Sequence, residues 1–144
     1  MLMPDVNVLV YAHRRDERVH ETYRAWLEEL VRSNTRFAIS ALAAVGFVRI
    51  VTNARIFPEP TPPAVALAAI DRLLAHPNCR FATPGPDHWR RVSELVQATD
   101  AAGKLVADAQ HAALAMAEGC TWVTRDADFE RFASAGLRWE HLAL

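Results

Sequence analysis

Four aspartates have types and positions that could do chemistry. Asp5 closes the apolar run "LMP", and "NVLVYAH" begins just beyond it. Asp108 lies inside "GKLVADAQHAALAMAEG", and Asp126 and Asp128 follow "CTWVT" two residues apart. Singly, each has an ordinary reading: a helix cap at a strand-to-helix turn, or a solvated turn acid. Together they would do something else. Crowded carboxylates raise one another's pKa unless a cation neutralises them. Oxygen donors alone select a hard ion, Mg²⁺ or Mn²⁺, which keeps several waters and accepts phosphate oxygens. Metal-assisted hydrolysis of a phosphodiester is the chemistry that suits such a set.

The intervening elements decide whether these carboxylates meet. Short apolar runs alternate with helical patterns along the 144 residues. "HETYRAWLEELVRS" carries Tyr23, Trp26, Leu27 and Leu30 at helical spacing. "RFAI" at 36–39 reads as a strand, after which Ser40 caps "ALAAVGFVRIVTN". Thr61 reads as the capping hydroxyl of "PPAVALAAIDRLLAH", whose prolines occupy the first turn. "CRFAT" is a strand, "DHWRRVSELVQAT" a helix, and the helix carrying Asp108 stops at Gly119. "CTWVT" and "LRWE" are the last strands, with "DADFERFA" a short helix between them.

Strands alternating with helices predict an α/β fold with three α/β/α layers and a mainly parallel sheet, residues 1–144 forming one domain. Ligands of such sheets bind beyond the carboxyl ends of the strands. Asp5 ends the first strand, and Asp126 and Asp128 follow a later one. Asp108 lies on or beside the inward stripe Leu105, Ala109, Ala112 and Met116, near the end of its helix that faces the same rim. An acid on an apolar stripe needs a partner.

Composition sets outer limits. The chain is 51% hydrophobic and 23% charged, with net charge −1, so it has no overall basic field. Fifteen of its 16 basic residues are arginine, Lys104 being the exception. Cys79 and Cys120 share no short motif and read as reduced thiols of a cytoplasmic protein. The N-terminal apolar run, interrupted by Asp5 and Asn7, reads as neither a signal peptide nor a membrane span. The histidines form no HxxxH spacing, and His111 reads as a helix-surface residue. Trp26, Trp89, Trp122 and Trp139 read as core or dimer-interface anchors. A phospho-receiver domain would need an acid ending the third strand, and "CRFAT" has none; a HAD-type phosphatase wants Asp-x-Asp where this chain has Asp5-Val6-Asn7.

The segments "PDVNVLVYAHRRD", "GFVRIVTNARIF" and "LVADAQHAALAMAEGCTWVTRDADFERF" resemble PIN-domain proteins, and most of all the VapC toxins of bacterial toxin–antitoxin pairs. That resemblance implies a Mg²⁺- or Mn²⁺-dependent endoribonuclease, usually a homodimer without a membrane anchor. It also implies a cognate VapB-like antitoxin whose tail enters the acidic cleft. Asp5, Asp108 and Asp126 match the family's metal ligands, and Asp128 an additional catalytic acid. Asn7 and Thr124 match polar residues that orient those ligands, while Arg14, Arg15, Arg49, Arg55 and Arg125 are candidate RNA contacts near the rim, Arg14 and Arg125 foremost. One departure matters. The family normally places a Glu on the helix after the second strand, near Gly46 or where Ala41 stands, and that helix has no acid. The alternative reading is therefore a catalytically weak PIN domain that binds RNA or an antitoxin without efficient cleavage.

Overall fold

The shortest of the inner strands holds the centre of the sheet. In the computed structural model, which describes residues 1–144, β1 (Leu2–Pro4) lies between β2 (Phe37–Ser40) and β4 (Thr121–Thr124). Leu2 pairs with both Phe37 and Thr121. Adding β3 (Cys79–Ala82) and β5 (Trp139–His141) gives the order β3-β2-β1-β4-β5, parallel throughout. The expected parallel sheet is therefore present without an antiparallel edge.

The connections are helical, as parallel strands require. Helices α1 (Val6–His13) and α2 (His20–Arg32) link β1 to β2; α3 (Ala41–Val51) and α4 (Pro63–Leu74) link β2 to β3. Helices α5 (His88–Thr99) and α6 (Lys104–Ala117) carry the chain back across the sheet to β4. A 3₁₀ turn (Ala127–Phe129) and α7 (Glu130–Ala133) precede β5. Side chains alternate across a strand, so neighbours on β4 report the two faces. Trp122 lies against His111 of α6, while Val123 joins Val8, Ala12 and Tyr23 from α1 and α2. The layers are thus α/β/α. No helix is long and apolar enough to cross a membrane.

The strand order reverses between β1 and β4, because the chain first moves outward to β3 and then returns past β1. A crevice opens at such a reversal, beyond the carboxyl ends of the two strands. It is there that Asp5 and Asp126 emerge.

Two packing details shape that crevice. Ala109, Ala112, Ala113 and Ala115 of α6 are at most 1% exposed, and these small side chains let the helix lie close to the sheet. Across the crevice, α3 crosses α1 closely: a Cβ on Gly46 would stand 2.9 Å from Cγ2 of Val6. A β-branched Val on a helix has little rotameric freedom with which to yield.

Four expectations are corrected or narrowed by the fold. The Thr61 hydroxyl does not cap α4, which begins behind Pro62; it bonds His13 Nε2 at 3.1 Å and accepts from Arg14 at 3.2 Å. Trp89, at 79% exposed, lies outside the core, which leaves the interface half of its reading. His111 is not a surface residue, since its ring stacks on Trp122 with centroids 5.3 Å apart. The buried stripe of α6 is rotated from the expected one: Leu105 and Met116 are only partly buried, whereas Asp108, Ala113 and Leu114 face inward.

Candidate active site

The backbone of Asp5 extends the sheet ladder one residue past β1, its N–H donating to the Val123 carbonyl at 2.8 Å. The chain then turns into α1, and Asp5 caps that helix by accepting from the Val6 N–H through Oδ1. Its other oxygen accepts the Thr124 hydroxyl proton at 2.6 Å. Thr124 ends β4, so the bond ties the two strands at the reversal point. The same hydroxyl accepts from the Asn7 side-chain amide at 3.3 Å and from the Asp126 N–H at 3.0 Å. A threonine hydroxyl has one proton and two lone pairs, and all three are used. Asn7 also accepts from the Arg125 N–H at 3.3 Å. Thr124 thus bonds both Asp5 and the Asp126 N–H, and Asn7 reaches them only through Thr124.

Asp126 follows β4 and caps the short 3₁₀ turn, accepting from the Asp128 N–H at 2.9 Å. Asp108 comes from the first turns of α6. The carboxylates of Asp5, Asp108 and Asp126 line one cleft of about 720 Å³, with Asn7, Arg49 and Lys104 on the same walls. Asp128 does not reach it. Its side chain is 64% exposed and lines a neighbouring hollow with Lys104 and Arg131. Its contribution to the cleft is the backbone amide on Asp126.

The electrostatics show what this arrangement lacks. Asp5 is almost fully buried, and that burial pushes its carboxyl up to about 6. The Thr124 and Val6 hydrogen bonds oppose the shift, while the charges of Asp108 and Asp126 add to it. Asp108 is raised for the same first reason, desolvation, and Lys104 pulls it back. Burial also pushes Asp126 upward, but the Lys104 bond and the Asp128 amide outweigh it and hold the group below the usual range. His111 is driven down to about 4 by burial alone, so it is neutral at neutral pH. Its Nδ1 and the Trp122 Nε1 are buried without hydrogen-bond partners.

Lys104 was not among the residues expected at this site. Its Nζ lies 2.7 Å from Asp126, 3.2 Å from Asp108 and 3.6 Å from Asp128. Only the pairing with Asp108 had a local signal, the i,i+4 spacing on one helix. Glu17, from the α1–α2 loop, was also missed and is the fourth acid lining the cleft.

Two of the arginines expected as RNA contacts, Arg14 and Arg125, are engaged within the chain. The Arg14 guanidinium grips Asp16 at 2.6 and 2.9 Å, donates to the Glu59 carbonyl at 2.8 Å and lies over Phe57. Arg125 lies over the rings of Tyr11 and Tyr23, at 5.1 and 5.8 Å. Arg49 is different: exposed on α3, it lines the acidic cleft and forms no ion pair. On the helix that the family resemblance led one to expect an acid from, the cleft is lined by Leu42, Val45, Gly46, Arg49 and Ile50.

The donor set suits a hard divalent ion in kind, being all carboxylate oxygen around a cleft that already attracts a cation. It is not drawn together as a finished shell: no three acid, histidine or cysteine side chains converge closely enough to hold an ion. The Lys104 ammonium bridges Asp108 and Asp126 and offsets part of their mutual repulsion.

The description of one matching family model is "PIN domain", covering residues 2–135. The ribonuclease VapC43 of Mycobacterium tuberculosis is 45% identical over 141 residues, spanning 98% of this chain and 95% of that protein. Ribonuclease VapC31 of the same species is 40% identical over 134 residues, 93% of this chain and 94% of its own length. Among solved structures, a chain of VapBC2 from Rickettsia felis, bound to a DNA fragment from its promoter, shares the fold with a TM-score of 0.67. The superposition covers 96% of each chain at 21% identity.

Proposed function

The chain belongs to the PIN-domain family, and from that premise we propose that it is the toxin of a toxin–antitoxin pair, a Mg²⁺- or Mn²⁺-dependent endoribonuclease acting in the cytoplasm. The observation that carries this reading is the convergence of Asp5, Asp108 and Asp126 on one cleft at the reversal point of the sheet, with Thr124 fixing two of them. Residues 1–144 work as one domain in this account. Relatives at 45% and 40% identity are named as ribonucleases, which supports the activity, and the fold shared with a chain of VapBC2 is consistent with an antitoxin partner.

Asp5, Asp108 and Asp126 would hold the ion, which when bound supplies Lewis acidity and positive charge at a phosphodiester. Everything else falls to the protein's own groups. Thr124 and the Val6 N–H fix both oxygens of Asp5, so its remaining lone pairs have a set direction. The Asp128 N–H does the same for Asp126. Arg49, unpaired on the opposite wall, is the cation best placed to bind an RNA phosphate.

One observation favours a second reading, a domain that binds RNA or antitoxin but cleaves weakly. Helix α3 contributes no acid to the cleft, and Gly46 has no room for one against Val6. Cleavage of a structured RNA by purified, antitoxin-free protein in Mn²⁺ separates the two. The ribonuclease reading expects cleavage that disappears in Asp5→Asn and Asp108→Asn while both variants stay folded. Cleavage that survives both substitutions would sink it.

A further inference from the structure

Lys104 is the only lysine in a chain with 15 arginines, and its ammonium lies within 3.6 Å of three aspartates, Asp108, Asp126 and Asp128. Its position runs against the local electrostatics. Residue 104 is the first of α6, behind Gly103, and α6 has no side-chain cap. The positive end of a helix dipole repels a cation placed in that first turn. The unfavourable placement is offset only by the carboxylates that the ammonium reaches, one on its own helix and two beyond β4.

The choice of lysine over arginine is also informative. An arginine fork grips a carboxylate with two parallel hydrogen bonds, as Arg14 grips Asp16 here. An ammonium is a compact point charge on a flexible stem, able to bridge single oxygens of several acids and to leave without breaking a bidentate pair. The Lys104 side chain is 64% exposed, so a path to solvent is open to it, whereas the Asp108 and Asp126 side chains it holds are only 12% and 27% exposed.

Resting on the metal-dependent reading above, we propose that Lys104 is a resident counter-ion for the metal site: its ammonium pre-positions Asp108 and Asp126 in the ion-free protein and is displaced when a divalent ion binds. Lys104 is then a positioning residue, and the ion and the ammonium compete for the same oxygens. The exchange keeps the crowded acids neutralised in both states. It also makes ion occupancy depend on how strongly Lys104 holds on, which a mere surface ion pair would not do.

The test uses the full chain as wild type, Lys104→Met and Lys104→Arg, with Mn²⁺ titrated calorimetrically at low salt. Removing the competitor is expected to tighten Mn²⁺ binding about tenfold, the scale of two or three partly exposed ion pairs. Lys104→Arg, with its fork, is expected to bind Mn²⁺ no more tightly than wild type. A second readout exploits the single lysine: slow acylation of its amine, mapped by mass spectrometry, is expected to accelerate when Mn²⁺ saturates the protein. Equal Mn²⁺ affinity in wild type and Lys104→Met, or amine reactivity unchanged by bound Mn²⁺, would overturn the assignment of Lys104 and leave the metal site standing. Failure of Mn²⁺ to bind any of the three proteins would remove the metal reading itself, and this inference with it.

Discussion

Thr124 and Asp5 lie 119 residues apart in sequence and 2.6 Å apart in the fold, the threonine hydroxyl donating to Oδ2 of the aspartate. The Thr124 hydroxyl oxygen also accepts from Asn7 and from the Asp126 amide, so one hydroxyl holds β1, α1 and the loop after β4 in register. Hydrogen bonds of this kind fix ligand direction, and their loss commonly costs ten- to a hundredfold in metal affinity or activity.

Replacing Thr124 therefore separates geometry from charge. Thr124→Val keeps the shape but leaves Asp5 and the Asp126 amide without their partner. It is expected to cost about 1–3 kcal/mol of stability, as buried polar groups left unsatisfied do, and to lower Mn²⁺-dependent cleavage at least tenfold. Thr124→Ser restores the hydroxyl and is expected to recover most of both. Denaturant unfolding and RNA cleavage measured on the same samples check this.

The raised Asp5 carboxyl gives a pH dependence with a definite sign. A carboxyl whose folded value, about 6, exceeds its unfolded value near 3.8 supports the fold at pH below about 4 and loses that support as the pH rises through 6. In chelator, the wild type is expected to lose about 2–3 kcal/mol from this group between pH 4 and 7. Asp5→Asn, which cannot ionise, is expected to lose correspondingly less over the same window. Mn²⁺ selects the ionised carboxylate, so its stabilising effect on the wild type is expected to fade below pH 6. Thermal melts across that range, with chelator and with Mn²⁺, check both signs.

Gly46 tests the packing that keeps an acid out of this part of the cleft. Ala is about 1 kcal/mol better than Gly inside a helix, yet its Cβ would stand 2.9 Å from Val6 Cγ2. Gly46→Ala alone is expected to destabilise by about 1–2 kcal/mol, overpacking outweighing propensity. In a Val6→Ala background the same change is expected to stabilise. A double-mutant cycle by chemical denaturation reads that change of sign.

Arg49 is the cleft cation with no internal partner. Arg49→Ala is expected to raise KM for RNA about fivefold or more with little change in kcat, and to reduce the salt dependence of binding, as the loss of one phosphate contact does. Arg14→Ala is expected to act mainly on stability, through its Asp16, Glu59 and Phe57 contacts. Steady-state kinetics at two salt concentrations distinguish the two arginines.

What was legible in the sequence was local or periodic. Alternating strands and helices implied the parallel sheet, and Asp5 and Asp126 fell at strand ends because an apolar run stops at each. What was missed depended on tertiary placement. The link between Lys104 and Asp126 spans 22 residues and closes only because α6 begins beside the end of β4. His111 looked solvated because the helical stripe was set by the large residues Leu105 and Met116, whereas alanines face the sheet and bring His111 onto Trp122. The internal partners of Arg14 and Arg125 were not legible because the Glu59 carbonyl, Phe57 and the two tyrosine rings come from other segments or carry no charge. The absent acid on α3 was visible from composition alone; the lack of room at Gly46 needed the coordinates of Val6.

The most direct test of the account is calorimetric titration of Mn²⁺ into the purified, antitoxin-free chain, beside Asp108→Asn, at pH 7.5 or above, where the Asp5 carboxyl is ionised. Saturable binding in the wild type that falls at least tenfold in the variant is the result expected if Asp5, Asp108 and Asp126 form a divalent-ion site. A well-folded wild type that binds no Mn²⁺, or a variant that binds it equally well, would contradict that claim.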